Sequence, residues 1–433
     1  MTPFELGVWA TAGIVVLIYS GLHVGVALML GSFVAMMFLR GADQAEALLR
    51  LSALGSISTY EFAVVPLFIL MGQFVLLADM GRDIFAVMNQ LARRLPAGLG
   101  IGTVLANAVF AAITGVTIAS VTVFTQIAVP EMRRHGYAMR FSVGVVAGSS
   151  LLGMLIPPSA LFILYGILTE QSIGTLFVAG ILPGLILAGS YCALIIGWGL
   201  ARPKDFRLPD DAEREPLMGL AEMARRGGPS IALIVLVLGG LYSGFFTALE
   251  AGAVGATAAF VIALLKGKIT FGSSWKTLSD TALVVASVMI MIIGASLFTR
   301  MLTLTGIPMK LAGSLVALDV SPTVHVLIYA AVILAMGTLL DSLSIVLILV
   351  PVVAPAFQMM GIDLIWLGVV TIIAVEVGLL TPPFGLAAFT IASLMRGEAR
   401  LGDVFIGSAP FVIVAWLVTM LLILFPSLST ALI

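Results

Sequence analysis

The chain has 433 residues, 61% of them hydrophobic and only 10% charged, with a formal net charge of −1 and a mean hydropathy of +1.19. Soluble domains carry roughly 25% charged residues, so the composition excludes a soluble enzyme or a nucleic-acid-binding module and predicts an all-α polytopic membrane protein. The single cysteine, Cys192, excludes an internal disulfide, and three scattered histidines, His23, His135 and His325, have no metal-ligand spacing.

Apolar stretches fall in chain order near 4–20, 22–39, 56–78, 97–113, 117–130, 139–168, 173–200, 230–246, 248–265, 279–299, 323–337, 342–357, 363–394 and 404–425. About 20 apolar residues cross a ~30 Å hydrocarbon core. No basic segment precedes the first run, so no cleavable signal peptide is expected. Segment 79–95 is amphipathic, either an interfacial helix or an ordinary cytoplasmic loop. Four runs are short, and they form two pairs: 97–113 with 117–130, and 323–337 with 342–357. Their tips are Thr114-Gly115-Val116-Thr117 and Gly337-Thr338-Leu339-Leu340-Asp341-Ser342. Helices of ~14–17 residues rise only ~21–26 Å, so each pair reads as a re-entrant hairpin or as two short, tilted spans.

The long runs 139–168 and 363–394 are each interrupted by a prolyl-proline step, Pro157-Pro158 and Pro382-Pro383. Proline lacks an N–H and its ring clashes with the preceding turn, so carbonyls are freed in mid-run. Lipid cannot satisfy them, so such a break belongs beside a protein-enclosed cavity. Breaks at corresponding places in two halves mark secondary transporters built from inverted repeats. The halves do correspond. Gly72 and Gly294, and Gly115 and Gly337, are 222 residues apart. Pro130 and Pro355, Gly153 and Gly378, and both proline pairs are 225 apart, while Gly174 and Gly402 are 228 apart.

Charge sets an expected orientation. If the first hairpin enters from the cytoplasm, all but four of the 21 Lys and Arg residues (Arg40, Arg50, Arg300 and Lys310) are cytoplasmic, as the positive-inside rule prefers. The second hairpin then enters from the opposite face. The expected layout is scaffold helices and an interfacial arm over 1–95, a first hairpin plus broken helix over 96–168, and a transmembrane helix over 169–200. A cytoplasmic linker over 201–229, scaffold over 230–322, a second hairpin plus broken helix over 323–394, and a last transmembrane helix over 395–433 complete it.

The tips and breaks gather small oxygen donors: Thr114, Thr117, Ser120, Thr122 and Ser159 in one half, Thr338, Asp341, Ser342, Ser344 and Thr381 in the other. Hydroxyl and carbonyl oxygens suit a hard monovalent cation such as sodium. Half-helix N-termini near Ser159 and Phe384 present positive dipole ends to an anion. The competing reading has each hydroxyl bonding its own helix carbonyl. Asp341 stands deep in an apolar run, where a carboxylate is costly unless paired or ion-bound; a cation-coordinating role at the second tip is expected. Glu376 is expected to be buried, as a partner to the site or as a packing contact across the repeats. Glu61 and Glu250 read as structural. An intramembrane enzyme lacks a plausible constellation, and a passive channel fits broken inverted repeats poorly.

Several stretches carry a resemblance: Ala111-Ala112-Ile113-Thr114-Gly115, Ile127-Ala128-Val129-Pro130-Glu131-Met132, Leu155-Ile156-Pro157-Pro158-Ser159, the run Ser172 to Gly184, Gly361-Ile362-Asp363, and Glu376-Val377-Gly378-Leu379-Leu380-Thr381-Pro382-Pro383-Phe384-Gly385. Through them the chain resembles, over essentially its whole length, the large membrane subunit of tripartite ATP-independent periplasmic (TRAP) transporters. It departs at Val116, usually a small polar residue, and at Thr247-Ala248-Leu249-Glu250, usually Thr-Pro-Thr-Glu. The resemblance implies an elevator mechanism and sodium-coupled uptake of a small organic acid across the bacterial inner membrane. It implies two partners, a periplasmic binding protein and a small membrane subunit, and no cofactor beyond sodium ions. One sodium site would use Thr114, Val116, Gly153, Ile156 and Pro158, mostly through backbone oxygens; the other would use Gly337, Thr338, Asp341, Gly378, Thr381 and Pro383. Substrate would lie near Thr117, Ser120, Ser159, Ser342 and Phe384. The alternative is a stand-alone sodium/anion symporter of a related elevator fold.

Overall fold

A computed structural model describes residues 1–58, 60–206, 217–383 and 385–433. Every regular element among them is helical. The first half runs α1 (Pro3–Tyr19), α2 (Val24–Arg40), α3 (Ala42–Ser58), α4 (Val64–Leu77), α5 (Met80–Ala92), α6 (Gly98–Thr114), α7 (Thr117–Arg134), α8 (Met139–Ser150), α9 (Leu152–Leu155), α10 (Ala160–Thr169) and α11 (Ile173–Ala201). The second half runs α12 (Leu220–Ile234), α13 (Gly240–Tyr242), α14 (Ala248–Leu265), α15 (Phe271–Thr305), α16 (Ile307–Val316), α17 (Pro322–Gly337), α18 (Ser342–Met359), α19 (Leu364–Leu380), α20 (Leu386–Leu394), α21 (Leu401–Leu424) and α22 (Ser427–Thr430). Among the described residues, seven stretches are long and apolar enough to cross a bilayer, or eight if the bent pair α4–α5 counts as one.

Both expected hairpins form. α6 and α7 are joined through Gly115, whose φ of +62° favours glycine. α17 and α18 are joined by residues 338–341. Both breaks also form: the helix stops at Leu155 and resumes at Ala160, then stops at Leu380 and resumes at Leu386. Both prolyl-proline bonds are cis. The repeat persists in the helix starts. Thr117 and Ser342 differ by 225, as do Met139 and Leu364, while Ile173 and Leu401 differ by 228.

Three expectations need correction. The segment 201–229 is not all linker, because α12 begins at Leu220 and continues through a five-residue π-helical stretch, Val235–Gly239; residues 207–216 lie outside the described chain. The apolar window 279–299 is the centre of a 35-residue helix, α15, whose Thr270 cap starts it eight residues before the apolar run. The run 56–78 is not one element: α3 ends at Ser58, and α4 begins at Val64. Segment 79–95 takes the helical alternative as α5, bent 69° from α4 after Asp79, which adopts a left-handed φ of +53°.

Packing sorts the helices. α1, α2, α3, α4, α14 and α15 pack mainly on one another. Gly25 and Gly294 let α2 and α15 touch, since a Cβ on Gly294 would sit 2.5 Å from the carbonyl oxygen of Gly25. Outward faces carry large exposed apolar side chains such as Trp9, Phe38, Leu283 and Leu417, which suits lipid rather than water. The hairpins and broken helices make the other group, with α19 at its centre: every residue from Trp366 to Leu380 is buried. A helix apolar on all sides belongs inside a protein. α8 is sealed against α21 at a glycine crossing, where a Cβ on Gly144 would lie 2.2 Å from the Gly407 carbonyl oxygen.

Candidate functional site

Each hairpin tip sits against the break of its own repeat. In the first half the Ala160 amide donates to the Gly115 carbonyl at 3.3 Å. A Cβ on Gly115 would lie 2.3 Å from the Pro158 carbonyl oxygen, and one on Gly153 would lie 3.0 Å from the Thr117 Cα. In the second half the equivalent glycines, Gly337 and Gly378, meet each other directly. The glycines that the sequence aligned are therefore the positions where tip and break backbones touch. Of the expected first-site residues, Gly153 thus lies against Val116 and Pro158 against Gly115, and of the second-site residues Gly337 lies against Gly378.

The repeats also interlock. α7 packs on α20, and α18 packs on α10, so each hairpin's second helix rests on the half-helix after the other repeat's break. Tyr165 of α10 donates to the Leu364 carbonyl of α19 at 2.7 Å.

The centre of this arrangement is Glu376, 1% exposed on α19. The Thr117 hydroxyl donates to its Oε2 at 2.6 Å, and the Ser342 hydroxyl donates to its Oε1 at 3.2 Å. Thr117 and Ser342 are the first residues of α7 and α18 and equivalent positions of the two repeats. Of the two roles the sequence left open for Glu376, the geometry combines both: it is a cross-repeat contact and it touches two expected site residues. The signal that could have placed it there was the 225-residue offset, which pairs Thr117 with Ser342.

The other expected donors divide. Thr114, Thr338 and Thr381 donate to their own helix carbonyls of Phe110, Ala335 and Val377 at 2.8–2.9 Å, as does Thr122 to Ile118. Their side chains take the helix-bonded option, which leaves lone pairs and nearby backbone oxygens for a ligand. Ser159 caps α10 through the Phe162 amide at 3.4 Å. Ser120 is fully buried, and its hydroxyl has no hydrogen-bond partner among the described residues. Asp341 caps α18: its carboxylate accepts from the Ser344 amide at 3.2 Å and from the Ser344 hydroxyl. It is half-buried at the tip, one residue before Ser342. Pro383 is exposed beside the second break. Phe384 lies outside the described residues. No cluster of three or more His, Cys, Asp or Glu residues suited to a metal occurs among the described residues. A separate cavity of about 1360 Å³ lies away from the tips, among Arg82, Arg93, Arg94, His135 and Tyr137.

Residues 11–428 match the family described as "Tripartite ATP-independent periplasmic transporter, DctM component". The chain belongs to this family. It is 33% identical over 375 residues to the C4-dicarboxylate TRAP transporter large permease protein of Pseudomonas aeruginosa, covering 86% of each chain. It is 28% identical over 420 residues to the sialic acid TRAP transporter large permease protein of Vibrio cholerae, covering 95% of each. The 2,3-diketo-L-gulonate TRAP transporter large permease protein of Escherichia coli is 30% identical over 86% of each chain. The fold is also that of the YdaH transporter of Alcanivorax borkumensis, at a TM-score of 0.64, 14% identity and 98% coverage of both chains. A TRAP large permease is a transporter subunit and not an enzyme, and the polytopic, repeat-built helical fold read from the sequence is the fold of this family member.

Proposed function

We propose that this TRAP permease takes up a small organic acid by sodium-coupled secondary transport across the bacterial inner membrane, using an elevator motion. Substrate would arrive from a periplasmic binding protein, and a small membrane subunit would complete the assembly. The supporting observation is the pair of tip-and-break units, alike in backbone contact and joined through one buried carboxylate. Oxygen-rich tips at membrane depth suit sodium, and half-helix N-termini suit an anionic substrate. The named relatives handle C4-dicarboxylate, sialic acid and 2,3-diketo-L-gulonate, which are all anions, so an organic acid is the substrate class proposed here.

In this reading the first sodium site comprises Thr114, Val116, Gly153, Ile156 and Pro158. The second comprises Gly337, Thr338, Asp341, Gly378, Thr381 and Pro383. Substrate lies between the tips near Thr117, Ser120, Ser159, Ser342 and Phe384. The helices of segments 1–95 and 230–322, of which α1–α4, α14 and α15 pack mainly on one another, serve as scaffold. The hairpins and broken helices of 96–168 and 323–394 travel. The skewed distribution of Lys and Arg supports opposite entry of the two hairpins.

The deciding experiment reconstitutes the chain in liposomes with a small membrane subunit and a periplasmic binding protein of this transporter type, and follows labelled organic acids with and without an inward sodium gradient. Uptake that needs the gradient and the binding protein is expected. Gradient-independent uptake removes the sodium sites. Full uptake without the binding protein favours a stand-alone sodium/anion symporter instead.

A further inference from the structure

We propose that Glu376 is a positioning residue that holds the two hairpin tips in register, so that the ion and substrate surfaces of both repeats are set by one side chain. The inference rests on reading the tips as the transport site, and it goes further by naming what aligns them.

The geometry is specific. One carboxylate accepts a hydrogen bond on each oxygen, from Thr117 at 2.6 Å and from Ser342 at 3.2 Å. These donors are equivalent residues of the two repeats, 225 apart. Each opens the helix that leaves its tip. Glu376 belongs to neither hairpin. The equivalent of Glu376 in the first repeat is Leu151, buried and apolar, so a single acid serves both tips.

Burial makes the contact strong and directional. Thr117 and Glu376 are each 1% exposed, and water does not compete for their bond. No described cation is ion-paired with Glu376. Its compensation comes from two hydroxyls at the starts of two helices, whose N-terminal dipole ends are positive. Both hydroxyls donate to Glu376, so their lone pairs turn elsewhere. The fully buried hydroxyls of Ser120, one turn along α7, and Tyr191 of α11 have no partner among the described residues.

The test uses the purified full-length chain and hydrogen–deuterium exchange at residues 114–118 and 338–343. Glu376→Leu keeps similar volume and leaves no unpaired charge, and it should raise exchange at least fivefold at both tips. Glu376→Gln can still bond both hydroxyls, with one bond reversed, and should hold both tips within twofold of wild type. Thr117→Val combined with Ser342→Ala should match Glu376→Leu and gain little from it. Loosening confined to α19, or to one tip, overturns the proposal, as does unchanged exchange in Glu376→Leu. If Glu376→Leu does not fold, the double hydroxyl variant carries the same decision. In the reconstituted system Glu376→Leu should cut the maximal uptake rate more than tenfold, with Glu376→Gln recovering most of it; equal loss in both variants argues against positioning. Exchange needs neither sodium nor substrate, so a failure of sodium coupling shows in wild-type uptake and leaves the tip-register result to stand or fall separately.

Discussion

Gly337 and Gly378 touch backbone to backbone: a Cβ on Gly337 would lie 2.6 Å from the Gly378 Cα, and one on Gly378 would lie 2.7 Å from the Gly337 Cα. Neither glycine has a positive φ, so close approach alone demands them. Gly378→Ala should push the second tip off its break, at an overpacking cost of about 1–3 kcal/mol. Uptake should fall more than tenfold, and the thermal unfolding midpoint of the purified chain should fall measurably. Wild-type uptake by Gly378→Ala would remove this contact from the site.

Substitution can separate the capping role of Asp341 from its proposed part in a sodium site. It caps α18, and replacing a cap by alanine costs roughly 1 kcal/mol. Asparagine retains the capping oxygen and loses the charge. Asp341→Asn should therefore unfold at nearly the wild-type temperature while sodium-dependent uptake falls at least tenfold. If Asp341→Asn transports with unaltered sodium dependence, the carboxylate is a cap and nothing more.

At the crossing of α8 and α21, a Cβ on Gly407 would sit 2.0 Å from the Arg140 carbonyl oxygen. The same crossing carries an ion pair, Arg140 to Asp403 at 2.8 Å, with side chains 62% and 25% exposed. Gly407→Val should be severely destabilising, losing most folded protein in a detergent thermal-stability assay. Asp403→Asn should leave the unfolding midpoint nearly unchanged, since exposed pairs contribute little. The reverse ranking would mean that charge, rather than backbone approach, holds the two helices.

Orientation is open to direct chemical labelling. With Cys192→Ser as background, Glu398→Cys should react with an impermeant maleimide only after the membrane is opened. Leu318→Cys, exposed between α16 and α17, should react in intact cells. Labelling of both from the same side would refute opposite entry of the hairpins.

Lys266 and Lys268 tie the turn after α14 to α5. Lys266 reaches Asp83 and the Ala78 carbonyl, and Lys268 reaches Asp79 at 2.6 Å. Lys266→Met should increase exchange at residues 78–83 several-fold and leave the α8–α21 crossing unchanged. An unaltered α5 would show that its apolar contacts with α6 and α12 suffice.

Much of this architecture was legible in the chain because proline and glycine act locally. The prolyl-proline steps end helices wherever they stand, and the offsets between matched glycines survive folding as contacts between tip and break. Charge-rich helix ends were harder to read. α12 begins in a stretch whose Glu222, Arg225 and Arg226 suggested linker, although Glu222 and Arg226 pair one turn apart on the helix. α3 and α16 are too polar or too short to register as apolar runs. The bond between Thr117 and Glu376 joins residues 259 apart; no local pattern announces it, and only the repeat offset hints at its second arm.

α19 is enclosed along nearly its whole length, with neighbours on every side and lipid on none. A rod with no open flank has no surface on which to slide. Any displacement of Glu376 along the membrane normal must drag the enclosing helices with it, so lubrication by lipid is confined to the outer shell. Under the proposed elevator motion, cargo would ride inside a single closed capsule rather than thread past a moving piston.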